Sequence, residues 1–301
     1  MPASDRSILA RQAGGIAREE GRSRVHGLFH RMRRHPRVTA CACFLLFLWA
    51  ISLSAPLIAP YDPYAVNTHN LTQTPSLAHL MGTDELGRDS FTRVLYGGRV
   101  SLIVAIVVVV LSSSIGITLG LVTGYFGGWL DLLVGRWVDA QLAFPGLLLI
   151  LAVISTFGQS LFNAVIVIGL LGWTVYYRLT RGQVLQAREF EYITAGRAMG
   201  VRSWRLMWRH ILPNIANPVI IVTSLAAGGA ILTLSTISFL GLGAQPPEAE
   251  WGSMFFKALG DFRLHPWLIF GPGAAVFVTV FAYYILGDAL RDALDPRLRG
   301  R

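Results

Sequence analysis

Five stretches of this chain contain no Asp, Glu, Lys or Arg: residues 38–61, 100–130, 140–177, 211–247 and 266–287. Each is long enough for a helix to cross the hydrocarbon core of a bilayer, which takes about 20 apolar residues. The stretch at 140–177 is too long for one crossing, and Gly158, Gln159, Ser160 and Asn163 interrupt it. That punctuation predicts a hairpin of two helices. The pattern therefore predicts six spans, over residues 38–60, 100–125, 132–157, 161–178, 217–242 and 267–287. Pro145 predicts a kink in the third, and Gly228 with Gly229 a loosening of the fifth. Ser112, Gly116, Gly120 and Gly124 recur every four positions on the second. Such a row lets another helix backbone approach closely, from this chain or from a second one.

Composition agrees. Hydrophobic residues are 53% of the chain and charged residues 14%, well below the roughly 25% of soluble domains. The few charges are sorted by side. Nine Arg fall between Arg6 and Arg37, and seven between Arg178 and Arg209. The loops at 61–98 and 243–265 instead carry more acids than bases. With six spans, the basic tail 1–37, the Arg-rich loop and the tail 291–301 share one side, which the positive-inside rule makes cytoplasmic. The pI of about 10.1 then reports topology and not a nucleic-acid footprint. The first apolar run exceeds the length of a signal peptide, and Pro56 obstructs cleavage, so it reads as an uncleaved anchor. Cys41 and Cys43, two residues apart on one helix, point to different faces, and no disulfide or metal role is expected.

Several chemistries are excluded. All seven His lie outside the spans or at their edges, so no intramembrane His pair or Ser-His arrangement is expected. The single lysine, Lys257, follows two Phe. A phosphate loop ending in Gly-Lys-Ser/Thr is therefore absent. The chain is expected to be non-catalytic, and any ATP-driven work needs another polypeptide. Asp139 is the one carboxylate placed within a span; Arg136, three residues earlier, is its expected neighbour, with a structural or interfacial role.

The longest polar interruption, residues 178–217, separates two apolar hairpins. Gly200 divides it into two helical patterns. Phe190, Ile193 and Arg197 lie on one side of the first, and Ala195, Ala198 and Met199 keep its other positions small or apolar. Ser203 is the expected N-cap of the second, with Pro213 near its end. This segment resembles the ATPase-coupling loop of permease subunits of bacterial ABC importers. The family pattern is Glu-Ala-Ala, three residues, Gly, nine residues, a usually aliphatic position, one residue, Leu-Pro. The matching positions here are Thr194-Ala195-Gly196, Gly200, His210 and Leu212-Pro213, with Thr194 replacing the Glu. Residues 79–89 contain Gly82-Thr83-Asp84 and Gly87-Arg88-Asp89, similar to a segment of the second permease subunit in dipeptide, oligopeptide, glutathione and nickel importers. Residues 239–247 with Glu250-Trp251-Gly252, and Leu286-Gly287-Asp288 with residues 290–296, resemble two further motifs of that subunit. The resemblance covers residues 38–299.

The resemblance implies an all-α membrane protein with six transmembrane helices, a type I ABC importer permease fold with a cytoplasmic coupling helix. It implies a basic cytoplasmic tail at 1–37, a first transmembrane helix and outer loop at 38–98, the permease domain at 99–290 and a tail at 291–301. Residues 1–37 themselves match no motif and are expected near anionic lipid headgroups. The implied partners are a second homologous permease, two ABC ATPases that bind ATP and Mg, an extracytoplasmic solute-binding protein and membrane lipid, with no nucleic acid and no metal. The implied location is the bacterial inner membrane, with both termini cytoplasmic. The implied solute is a di- or oligopeptide, ahead of glutathione or a nickel chelate. Glu191, Thr194, Ala195, Gly196, Arg197, Gly200, Arg202, Arg205, Leu212 and Pro213 carry over as coupling residues. Arg197, Arg202 and Arg205 are the expected polar contacts. Asp84, Arg88 and Asp89 read either as a turn fixing the start of the second span or, with Gln245 and Trp251, as a docking surface for the binding protein. Trp251 and Trp267 also fit a membrane interface.

Overall fold

The computed structural model describes residues 36–294, so the expected tails at 1–37 and 291–301 lie almost wholly outside the described residues. Within them the secondary structure is helical, apart from an isolated antiparallel bridge between Thr83 and Asp89. Helix α1 spans Pro36–Leu53, α2 Ser90–Phe126, α3 Gly128–Leu142, α4 Gly146–Phe157 and α5 Leu161–Ala187. Then come α6 at Glu191–Ala198, α7 at Ala216–Phe239, α8 at Trp251–Gly260 and α9 at Trp267–Leu294. Five of these, α1, α2, α5, α7 and α9, are long and apolar enough to cross a membrane, and the pair α3 and α4 makes a sixth when taken as one broken span.

Helix boundaries follow backbone chemistry and not charge. Asp89 caps α2, accepting the Thr92 N–H at 2.7 Å, so the helix starts ten residues before the charge-free run. Ser160 caps α5 in the same way, accepting from the Asn163 N–H at 3.1 Å. That helix continues past Arg178 and Arg181 because Arg is a good helix former. Gly127 and Gly128, at φ +65° and +69°, end α2, since left-handed backbone cannot continue a helix.

The third span departs from expectation. Instead of one helix kinked at Pro145, α3 and α4 meet at 89°. Pro145 has no N–H to donate into a helix and disfavours helical backbone at Phe144. The fifth span is the reverse case. Helix α7 runs unbroken through Gly228, where an added Cβ would lie 3.1 Å from the Tyr283 Cβ of α9. The glycine serves close packing there and does not loosen the helix.

Lipid tails are as apolar as Leu, so helices in a membrane associate through close packing and hydrogen bonds more than through water exclusion. The row on α2 uses both. A Cβ at Gly120 would lie 2.8 Å from the Tyr177 carbonyl oxygen, and one at Gly124 3.0 Å from the Val184 Cβ. Gly116 abuts Trp173 and Tyr176, and the Ser112 hydroxyl donates to the Gly169 carbonyl at 2.8 Å. All these partners belong to α5, so the row is an interface within the chain. Leu102, Val108, Ile154, Ile168, Ile231 and Leu234 fill the core where α2, α4, α5 and α7 converge.

Candidate functional site

The segment after α5 folds into a compact unit on the ends of α2 and α5. Ile193 of α6, then Leu206, Met207, Ile211 and Ile215, bury themselves against Leu121 and Tyr125 of α2 and Val184 of α5. Gly196 permits that seat, because a Cβ there would come within 2.9 Å of Leu206. Helix α6 closes with Gly200 at φ +75°: the Gly200 N–H donates to the Arg197 carbonyl and the Val201 N–H to the Gly196 carbonyl, each at 3.0 Å. This paired closure satisfies carbonyls that a helix end leaves free, and the left-handed residue between them favours glycine. A short helical turn, Ser203–Leu206, follows. Arg202, and not the expected Ser203, takes its N-cap position, with no side-chain cap bond. The chain then widens into a π-helical turn, Met207–Ile211. Pro213, two residues on, cannot donate the next helical hydrogen bond.

The opposite face is bare. Thr194, Ala195, Met199, Trp204 and Arg205 are exposed, Met199 at 77% and Trp204 at 60%. Trp204 lies beside Trp208, ring centroids 5.2 Å apart, a pair at helical spacing that sequence reasoning passed over. Glu191 sits in the first turn of α6 and Leu212 and Pro213 at the far end of the unit. Of the three arginines expected to reach outward, Arg202 and Arg205 are exposed and their side chains make no hydrogen bond or ion pair within the described residues. Arg197 instead turns back onto α2. Its Nε donates to the Tyr125 hydroxyl at 3.2 Å, and its guanidinium carbon lies 4.6 Å from the centre of that ring, a cation–π contact. Burial, then the charges of Arg209 and Arg205, push the His210 imidazole below its ordinary value.

At the other end of the helices lies a polar platform. Asp84 accepts from the Leu86 and Arg88 N–H groups at 2.9 and 3.0 Å, and from the Arg88 Nε at 2.8 Å. Gly87, at φ +71°, makes that turn possible. Arg93 donates to the Pro63 carbonyl at 2.7 Å and the Glu248 carbonyl at 3.3 Å. Asp89 caps α2 and meets His79 Nδ1 at 2.9 Å. Trp251 is buried and donates to the Val94 carbonyl at 2.9 Å, so its ring packs within the platform instead of facing outward. Gln245 donates to the Gly241 and Gly243 carbonyls of its own loop. Arg88, Asp89 and Trp251 are thus enclosed, and of the five candidate docking residues Asp84 and Gln245 are partly exposed.

Two platform residues that the sequence marks take roles it does not specify. Glu250 is fully buried and caps α8, accepting from the Gly252 and Ser253 N–H groups at 2.8 and 2.9 Å. Burial pushes its carboxyl above the ordinary carboxylate value, against the pull of those N–H groups. Lys257 faces Arg88 and Arg93 in a cavity it shares with Asp84 and Asp261. Burial, then repulsion from the two guanidiniums, lowers its ammonium below the usual lysine value.

Comparison with known proteins gives a consistent pattern. Residues 116–300 match the family described as binding-protein-dependent transport system inner membrane component, and residues 23–78 the N-terminal TM domain of oligopeptide transport permease C. The chain is 41% identical to the glutathione transport system permease protein GsiD of Pectobacterium atrosepticum, over 89% of each chain. It is also 41% identical to the dipeptide transport system permease protein DppC of Alkalihalophilus pseudofirmus, over 83% of this chain and 82% of that one. Against GsiD of Escherichia coli it is 38% identical over 94% and 93%.

Proposed function

We infer function from one premise: this chain belongs to the family of binding-protein-dependent transport system inner membrane components. It is a permease subunit of an ABC importer, a helical inner-membrane protein that contributes to a translocation pathway. Beyond that, we propose that its solute is a di- or oligopeptide, in keeping with relatives named for dipeptide and glutathione transport. It pairs with a second homologous permease, two cytoplasmic ATPases that bind ATP and Mg, and a solute-binding protein outside. The Arg-rich side, with both termini, faces the cytoplasm.

The observation that carries this reading is the two-faced unit at 191–214. Its inner face is locked to α2 and α5 through Ile193, Leu206 and Ile211. Its outer face leaves Thr194, Ala195, Met199 and Trp204 exposed to solvent. ATP-driven closure of the ATPases pushes on that face, and the packed inner face passes the displacement to α2 and α5. Glu191, Gly196, Gly200 and Pro213 shape the unit; Arg202 and Arg205 supply charge for the ATPase surface. The test is reconstitution of the complex in proteoliposomes. Labelled dipeptide accumulates only with ATP and loaded binding protein, and the isolated chain neither binds nor hydrolyses ATP. Uptake driven by a proton gradient without ATP contradicts the reading, and accumulation of glutathione but not dipeptides redirects the solute.

A further inference from the structure

Among the apolar helices one region is conspicuously polar. Helix α3 does not pack flush against α5. Between them lies a cavity of ≈ 450 Å³ walled by Asp131, Arg136, Asp139, Tyr177, Arg178 and Arg181. Two ion pairs cross it like rungs. Arg181 grips Asp131 through Nε at 2.5 Å and Nη2 at 2.6 Å, and Arg178 meets Asp139 at 2.9 Å. The expected pairing of Asp139 with Arg136 does not occur; Arg136 is exposed and has no ion-pair partner in the described residues.

The two rungs differ in kind. The Asp131 side chain is only 16% exposed and held by two parallel hydrogen bonds, a geometry that fixes both partners. Arg178 and Asp139 are 58% and 60% exposed. An ion pair that open to solvent contributes little and exchanges partners readily. The cavity therefore has a fixed polar floor and, beside it, an exchangeable cation and anion plus the free cation of Arg136. Arg178 ends the fourth predicted span and Arg181 lies beyond it, so the cavity sits at the Arg-rich end of the helices. Charges at the edge of a span can mark the mouth of a pathway for polar solutes. The volume falls within the roughly 300–1,000 Å³ typical of small-molecule sites.

We propose that this cavity is a solute-contacting chamber of the translocation pathway, taking small zwitterions such as short peptides. The solute carboxylate meets Arg136 and Arg178, and its ammonium group meets Asp139. The Asp131–Arg181 pair positions α3 and does not touch the solute. Contacts shared with an exposed ion pair are weak, which suits a chamber that must release its occupant each cycle. This inference rests on the importer reading above and adds residues that reading leaves unassigned.

The decisive variants are Arg136→Gln and Arg178→Gln in the reconstituted complex, with labelled dipeptide and its binding protein. Arg136 ties no helix to another, so its replacement removes no packing contact. Uptake per ATP hydrolysed is expected to fall roughly five- to tenfold in each, the order expected for one lost charge contact. Arg136→Lys restores most of it. Unchanged uptake per ATP in both glutamine variants overturns the proposal. So does tight phospholipid that copurifies with the wild type and disappears in the variants while uptake stays normal, because the cavity is then a lipid site. If the wild-type complex takes up no peptide at all, the importer reading itself fails and this inference with it.

Discussion

The proposed coupling segment at 191–214 and the polar platform at the opposite ends of the helices are both rich in charge, and they use it in opposite ways. On the platform, Asp84, Arg88, Asp89, Arg93 and Glu250 each find hydrogen-bond partners inside the chain. In the coupling segment, Arg202, Arg205, Met199 and Trp204 stand in solvent on a unit whose other face is buried. Partnered polar groups make a scaffold. Exposed, unpartnered ones on a rigid base make a surface for another protein. Sequence motifs alone do not separate these two uses, because both appear as short polar runs between apolar helices.

The comparison breaks most violently at Gly87. It combines φ +71° with a Cβ direction aimed into the Asn67 backbone. Gly87→Val therefore carries both strain and overlap, together about 3 kcal/mol or more. The expected result is loss of assembled protein from membranes, measured by quantitative blotting and by thermal unfolding in detergent. Wild-type abundance and melting contradict a rigid platform.

Gly200 sharpens the contrast. It shares a left-handed backbone, φ +75°, but a Cβ there meets open space. Gly200→Val carries only the backbone cost, about 1–3 kcal/mol, confined to the coupling unit. The variant is expected to insert and to pair with its partner permease, while ATP hydrolysis no longer responds to loaded binding protein. A variant that fails to insert places Gly200 with the scaffold residues.

The smallest effect is in pH. Burial raises the folded-state value of Glu250 above that of the unfolded chain, so the folded state binds the proton more tightly. Between the ordinary carboxylate value and the raised one, stability falls as pH rises. The detergent-solubilised protein is expected to melt at a lower temperature as pH rises through that window, with a shallower slope in Glu250→Gln. Equal slopes show that Glu250 is ionised throughout.

Much of the fold was legible in the sequence because apolar length and glycine spacing act locally. The spans, the α4–α5 hairpin at Gly158 and the helix break at Gly200 all follow from a few neighbouring residues. What stayed hidden depends on residues far apart. The 89° corner at Pro145 is completed by the tie of α3 to α5 through Asp131 and Arg181, fifty positions apart. Arg197 turns inward because Tyr125 waits at the end of α2. Trp251 reads as an interface tryptophan until Gly97 and Gly98 open a slot for it. Each of these is decided by a partner that periodicity does not specify.

The central claim is that the bare face of 191–214 transmits ATPase closure to the spans. The most direct measurement is ATP hydrolysis and labelled-dipeptide uptake, side by side in proteoliposomes, for the double variant Met199→Asp, Trp204→Asp. Both side chains are exposed and outside the buried cluster, so the two permeases are expected to assemble normally. Uptake and binding-protein-stimulated hydrolysis are predicted to fall together to the level of complexes lacking the loaded binding protein. Wild-type uptake with wild-type stimulation contradicts the coupling role of this face.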